Sequence, residues 1–193
     1  MFRSRLNTEK ITADFGSESL DKFKYIQNWL RKRSAGSFPG YERYTYYWIA
    51  FNVFYDLKYF KQHPGTSNWD TREYDRVKNV LNNLSQDQLD IVYDRAFFDV
   101  VDYLDVLRGF TLKGKPDRFG VSTDLIALLF SADSNKHNDR LERLLRCLYA
   151  IRCNLFHGDK QPNDVNQNRL LLKSSAVLRN LLTVFLEPYF LDK

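Results

Sequence analysis

The chain has 193 residues, a net charge of +5 with pI near 9.1, 16% aromatic residues and only two cysteines. That length suits one domain able to bury most of its apolar surface without staples, and so few cysteines exclude a disulfide-framed secreted scaffold. The charge leans toward an anionic partner such as RNA, although many ordinary proteins are this basic.

Residues 1–10 are polar and basic with no apolar stretch, so no signal peptide is expected. No run reaches the ~18 apolar residues of a membrane span. The expectation is a soluble, cytoplasmic protein with no membrane partner. After the polar lead-in, Leu20, Phe23, Ile26 and Leu30 recur at helical spacing, and the helix closes on Arg31-Lys32-Arg33, favourable charges at a C-terminus. Residues 34–40, with Gly36, Pro39 and Gly40, read as a loop.

A second helix over about 41–62 carries the stripe Tyr44, Trp48, Phe51, Tyr55 and Tyr59, and His63-Pro64-Gly65 stops it. A third is predicted from Asp70, with Glu73 completing a capping box, to about Leu84. Ser85 and Gln88 form another box, opening a long helix to about Arg108 with Leu89, Val92, Ala96, Val100, Tyr103 and Leu107 inward. Residues 109–120 read as a loop, Ser122 or Thr123 caps a short apolar helix to Phe130, and 131–138 is a polar linker. Asp139 and Glu142 cap the next helix, whose buried side is Leu141, Leu145, Leu148, Ile151 and Leu155, with Gly158 just past its end. After a loop over 159–163, Asp164 and Gln167 start the last helix, which runs through Leu171, Leu178, Leu182 and Phe185 to Pro188.

No convincing strand and no fixed repeat emerges. The fold class predicted is an all-α helical bundle with a core of four long helices. One domain spans 1–193, with its core at about 41–187 and residues 1–40 as an N-terminal helical extension. Cys147 and Cys153 lie six apart on one helix, about 9 Å along its axis, which is too far to bridge. Two buried thiols are expected.

Chemistry concentrates at residues 148–158, L-Y-A-I-R-C-N-L-F-H-G, where Arg152, Asn154 and His157 end an otherwise apolar helix. Arginine stays charged and presents a fork of donors, while histidine titrates near neutrality. An ideal helix separates Arg152 from His157 by about 140° and 7.5 Å. Convergence therefore needs either a ring swung back at the helix end or a second copy packed antiparallel across a two-fold axis. Spacing alone fits equally an arginine in a surface ion pair and a histidine capping the helix.

The segment Arg152-Cys153-Asn154-Leu155-Phe156-His157-Gly158 resembles the signature of the HEPN superfamily of all-α ribonucleases and RNA-binding domains. Upstream, Trp48-Ile49-Ala50-Phe51-Asn52 is similar to the aromatic helix of its Apea-like branch. Active members usually carry Asn, Asp or His directly after the arginine. Here Cys153 stands there, with Asn154 one place later.

The resemblance implies metal-independent RNA cleavage with no cofactor. His157 would move the proton of the 2′-OH or of the leaving oxygen, Arg152 would grip the phosphate, and Asn154 would orient the ribose or phosphate. It further implies a homodimer with the cleft between protomers, and a toxin or phage-defence role with an antitoxin or other regulatory partner. Asn52 and Lys160 are assigned to the substrate side. The alternative is a catalytically silent helical module that binds RNA or a partner protein.

Other groupings read as scaffold. Asp99, Asp102 and Asp105 form a solvated face opposite the apolar side of their helix, and His63 and His137 lack the companions of a metal site. The stripe Tyr44, Tyr47, Trp48, Tyr55 and Tyr59 is expected in the core, with base stacking as the alternative. Asn52 within it needs a partner if buried. The basic runs at 31–33 and at Lys113, Lys115 and Arg118 could touch an RNA backbone, with solvated surface as the default.

Overall fold

Helical periodicity dictates the architecture of the computed structural model, which describes residues 5–32, 36–37, 39–66, 71–96, 137–156 and 165–191. Seven α-helices occur among them: α1 (Thr8–Phe15), α2 (Leu20–Arg31), α3 (Pro39–Gln62), α4 (Glu73–Lys78), α5 (Gln86–Ala96), α6 (His137–Phe156) and α7 (Val165–Leu186). The only β-type pairing among the described residues is an isolated bridge between Leu6 and Phe190. The protein is an all-α bundle. No described helix is long and apolar enough to cross a membrane.

The aromatic helix α3 is the axle. It packs along α7 and α2, while α4 bridges it to α6 and α5 leans on α6 and α7. Its stripe is core as expected: Tyr44, Trp48, Phe51, Tyr55 and Tyr59 are all buried. Burying a phenol requires a partner for its hydroxyl. That of Tyr44 donates to the Leu148 carbonyl at 2.5 Å, pinning α3 to α6. Opposite, Leu170, Leu171, Val177, Leu178, Leu181 and Leu182 supply the buried side of α7.

The capping box at Ser85 forms as predicted. Gln88 Oε1 accepts from the Ser85 amide at 2.9 Å, and Ser85 Oγ accepts from the Gln88 amide at 3.3 Å. Ala96 is the last residue of α5 among those described, so the predicted continuation to Arg108, the loop after it and the short helix at 122–130 lie outside them.

Several boundaries differ from the sequence reading. Helix α1 was not anticipated. Only Ile11 in it is fully buried, which gives no periodicity to detect, and it is nucleated by Asn7 Oδ1 accepting from the Lys10 amide at 3.1 Å. Pro39 and Gly40 are helical rather than loop, with proline suited to a helix start. The predicted third helix is shorter, beginning at Glu73 and tightening into a 3-10 turn over Asn79–Leu81. Helix α6 begins two residues before Asp139, at His137. There the imidazole Nδ1 lies 2.6 Å from Asp90 of α5, and the ring stacks on Tyr93 at 4.2 Å.

The N-terminal segment is built into the same core as the rest. Ile11, Phe23 and Ile26 are fully buried, and Phe15, Phe23 and Tyr189 form a cluster with centroids 5.0–5.5 Å apart. Backbone bonds from Asn7 N to Tyr189 O and from Leu191 N to Arg5 O, both 2.9 Å, clip residues 5–7 to 189–191.

Gly40 lets α3 approach the backbone of α7 closely. Its amide donates to Asn168 Oδ1 at 2.9 Å, and a Cβ there would stand 2.3 Å from the Asn168 carbonyl oxygen. Gly40→Ala should therefore lose about 1–3 kcal/mol in urea denaturation, despite alanine being the better helix former. An unchanged or raised midpoint would contradict this packing.

Candidate functional site

Arg152 sits one turn from the end of α6, on the side that faces α4. Its side chain keeps 25% of its exposure, and its guanidinium lies 5.9 Å from the ring centre of Tyr149 and 5.3 Å from that of Phe156. One Nη lies 3.2 Å from Glu73 Oε1, and the other points at Cys153 Sγ at 3.9 Å. Nε–H finds no acceptor among the described residues. Burial works against the charge, but Glu73, Cys153 and Tyr149 outweigh it and hold the arginine proton more tightly than usual.

Glu73 is the hub. As the first residue of α4 it places a carboxylate where the helix dipole favours negative charge. Tyr55 Oη donates to its Oε1 at 2.7 Å, and Tyr149 Oη donates to its Oε2 at 3.4 Å. Asn52 Nδ2 in turn donates to the Tyr55 hydroxyl. Both phenols are held far above their usual pKa, Tyr55 by burial and then Glu73, Tyr149 by burial and then Cys153 and Glu73. They therefore act as donors throughout the physiological range.

A second carboxyl stands beside this chain. Asp56 Oδ1 pairs with Arg76 Nη1 at 2.7 Å, and the Arg76 side chain keeps only 10% of its exposure. Burial pushes the Asp56 carboxyl up to about 6, with Arg76 opposing and Glu73 adding to the rise. Asn52 and Asp56 line one wall of a cleft of about 400 Å³, and Asp21, Lys22 and Tyr25 line the other.

Of the residues singled out from sequence, Arg152 and Asn52 are joined in one network through Tyr55 and Glu73. His157, Lys160 and the side chain of Asn154 lie outside the described residues, as do Gly158, Asp164, the aspartates at 99, 102 and 105, and the basic residues at 113, 115 and 118. The ion pair anticipated for Arg152 exists, but half-buried rather than at the surface. Glu73 was read as the third residue of a capping box, whereas it opens the helix and spends its carboxylate on Tyr55, Tyr149 and Arg152. Cys147 is buried and its thiol is pushed up to about 12 by burial. Cys153 is half-buried rather than buried, and neither forms a disulfide. His63 Nδ1–H donates locally to the Tyr59 carbonyl at 3.0 Å, and the described residues hold no group of three metal-ligating side chains. No protein-family model matches the chain, and no curated protein or solved structure does either.

The coupling of the two carboxyls is measurable. The carbon-13 carboxyl resonance of Asp56 should titrate near pH 6, well above the ordinary 3.8, and Glu73→Gln should lower that midpoint by removing a neighbouring negative charge. Since the folded state binds this proton more tightly than the unfolded chain, the stability it lends is complete below about pH 4. That stability is lost as pH rises through 6. A midpoint at or below 4 in the parent would contradict the arrangement.

Proposed function

We propose that the protein is a metal-independent RNA endonuclease of the HEPN type, working with Arg152 and His157 at a cleft between two copies of the chain. The observation that carries this reading is Arg152 itself. Its guanidinium is fixed near the helix end by one carboxylate and two rings, partly open to solvent, five residues before a histidine. A preorganised cation of this kind is what a phosphodiester needs, because it loses little side-chain freedom on meeting the anion. Glu73 and Cys153 each take part of its donor fork, and the Nη hydrogens they leave are those a phosphate oxygen would use.

In the reaction, His157 takes the proton of the ribose 2′-OH as that oxygen attacks the adjacent phosphorus. The resulting imidazolium gives the proton to the leaving 5′-oxygen, and the products carry a 2′,3′-cyclic phosphate and a 5′-OH. Arg152 stabilises the negative charge gathering on the phosphoryl oxygens, worth roughly 3 kcal/mol, and proton transfer contributes roughly 10²–10⁴-fold. DNA lacks the internal nucleophile and is not cut. Asn154 orients the ribose or phosphate, and Lys160 adds a backbone contact. Such an activity inside a cell calls for control by a partner, as in a toxin or phage-defence effector.

One observation favours a second reading. A guanidinium already paired with Glu73, followed by Cys153 instead of a polar oxygen or nitrogen donor, also suits a catalytically silent module that binds RNA or protein. Incubation of purified protein with unstructured RNA in EDTA separates the two. Cleavage by the parent, reduced at least about 100-fold in His157→Ala and Arg152→Ala, is expected. Binding without cleavage assigns the silent module, and cleavage that survives both substitutions overturns the proposed site.

A further inference from the structure

Helices α2 and α3 run antiparallel, so that Trp29 meets Tyr46 at one end and Lys22 faces Asp56 across the cleft at the other. Along the outer edge of this pair, α2 presents Lys22, Tyr25, Trp29 and, at its C-cap, Lys32, spaced three, four and three residues apart. That spacing is one helical face about 15 Å long. The rings form a series: Tyr25 stands edge-on to Trp29 at 6.0 Å, and Trp29 lies 5.6 Å from Tyr46. Lys32 Nζ sits over both ends of that last pair, 4.9 Å from Trp29 and 6.0 Å from Tyr46.

This face is not core. Tyr25 is 47% exposed, Trp29 and Tyr46 are half-buried, and Lys22 and Lys32 are exposed. Its charges on α2 are both basic, Lys22 and Lys32, and Asp21 at the cleft is paired with Lys24 at 2.8 Å. Asp56, the acid on the facing wall, is offset by Arg76. One exposed and one half-buried ring interleaved with cations match the alternation of base faces and phosphates in a single strand. Tyr25 ends the series at the lip of the cleft shared with Asn52, from which the chain Asn52–Tyr55–Glu73 leads to Arg152.

We infer that the α2–α3 seam is a single-stranded RNA track in which Tyr25 and Trp29 stack bases, Tyr46 backs Trp29, and Lys22 and Lys32 meet phosphates. The inference rests on the RNA-directed reading of the Arg152 site and extends it to how the strand is held. It concerns binding alone, so it is tested with a strand that cannot be cut.

The experiment measures fluorescence anisotropy of a labelled 2′-O-methyl oligouridylate of about a dozen nucleotides with the full chain. The parent should bind with an affinity that falls as salt rises. Tyr25→Ser with Trp29→Ser should weaken binding on the order of tenfold per ring, and Lys32→Gln should lower the salt slope by about 1. Tyr25→Ser alone, at the most exposed ring, repeats the test with little disturbance of packing. No binding by the parent overturns the inference, as does equal binding by the ring variants. So does loss of self-association in sedimentation in place of oligonucleotide binding, which would assign the seam to a second copy. Binding through the seam without any RNA cleavage leaves the track standing and removes the nuclease. Cleavage with unchanged KM in the ring variants does the reverse.

Discussion

A single carboxylate, Glu73, gathers donors from two helices that flank its own: Tyr55 from α3, and Tyr149 and Arg152 from α6. Taking that charge out of water is costly, and the three donors offset the cost only while all of them stay in place. The arrangement therefore fixes more than an ion pair. It sets the height of short α4 against the two long helices, and with it the direction in which the Arg152 fork points. Because the acid opens α4, its charge also suits the dipole of the helix that carries it.

Around this polar knot the scaffold is aromatic. Trp48 touches Tyr44, Phe51, Tyr55 and Tyr149, with ring centres 5.6–6.5 Å apart, so the residues that donate to Glu73 are themselves wedged by rings. Rings have few rotamers to lose, and such packing holds a side chain at low entropic cost. Helix α3 needs apolar residues on more than one side because α2, α4 and α7 all lean on it. Its sequence is accordingly rich in aromatics well beyond a single stripe.

Much of this was legible in the sequence, for reasons that can be named. Local rules found the stripe of α3, the Ser85–Gln88 box and the apolar side of α7, since each is written within one helix and repeats at its period. Arg152 stood out by residue type and by resemblance. The partner of Arg152 did not, because Glu73 is 79 residues away and the letters around it satisfy a capping pattern equally well. One thread did lead there: an amide within an aromatic stripe must find a partner, and Asn52 finds Tyr55, which finds Glu73. Helix α1 left no comparable trace, since its place depends on contacts with the far end of the chain rather than on its own pattern.

That last dependence has a mechanical corollary. Segments near chain ends ordinarily fray independently, each losing only its own contacts. Here residues 5–7 and 189–191 are stitched by paired backbone bonds, and the Tyr189 ring leans on Phe15 and Phe23 while its hydroxyl reaches Asp14. Loosening either strand of the stitch strips the other of its partner and uncovers Phe23 beneath. The two ends of the described fold open together or stay shut together, as one cooperative unit rather than as two loose tails.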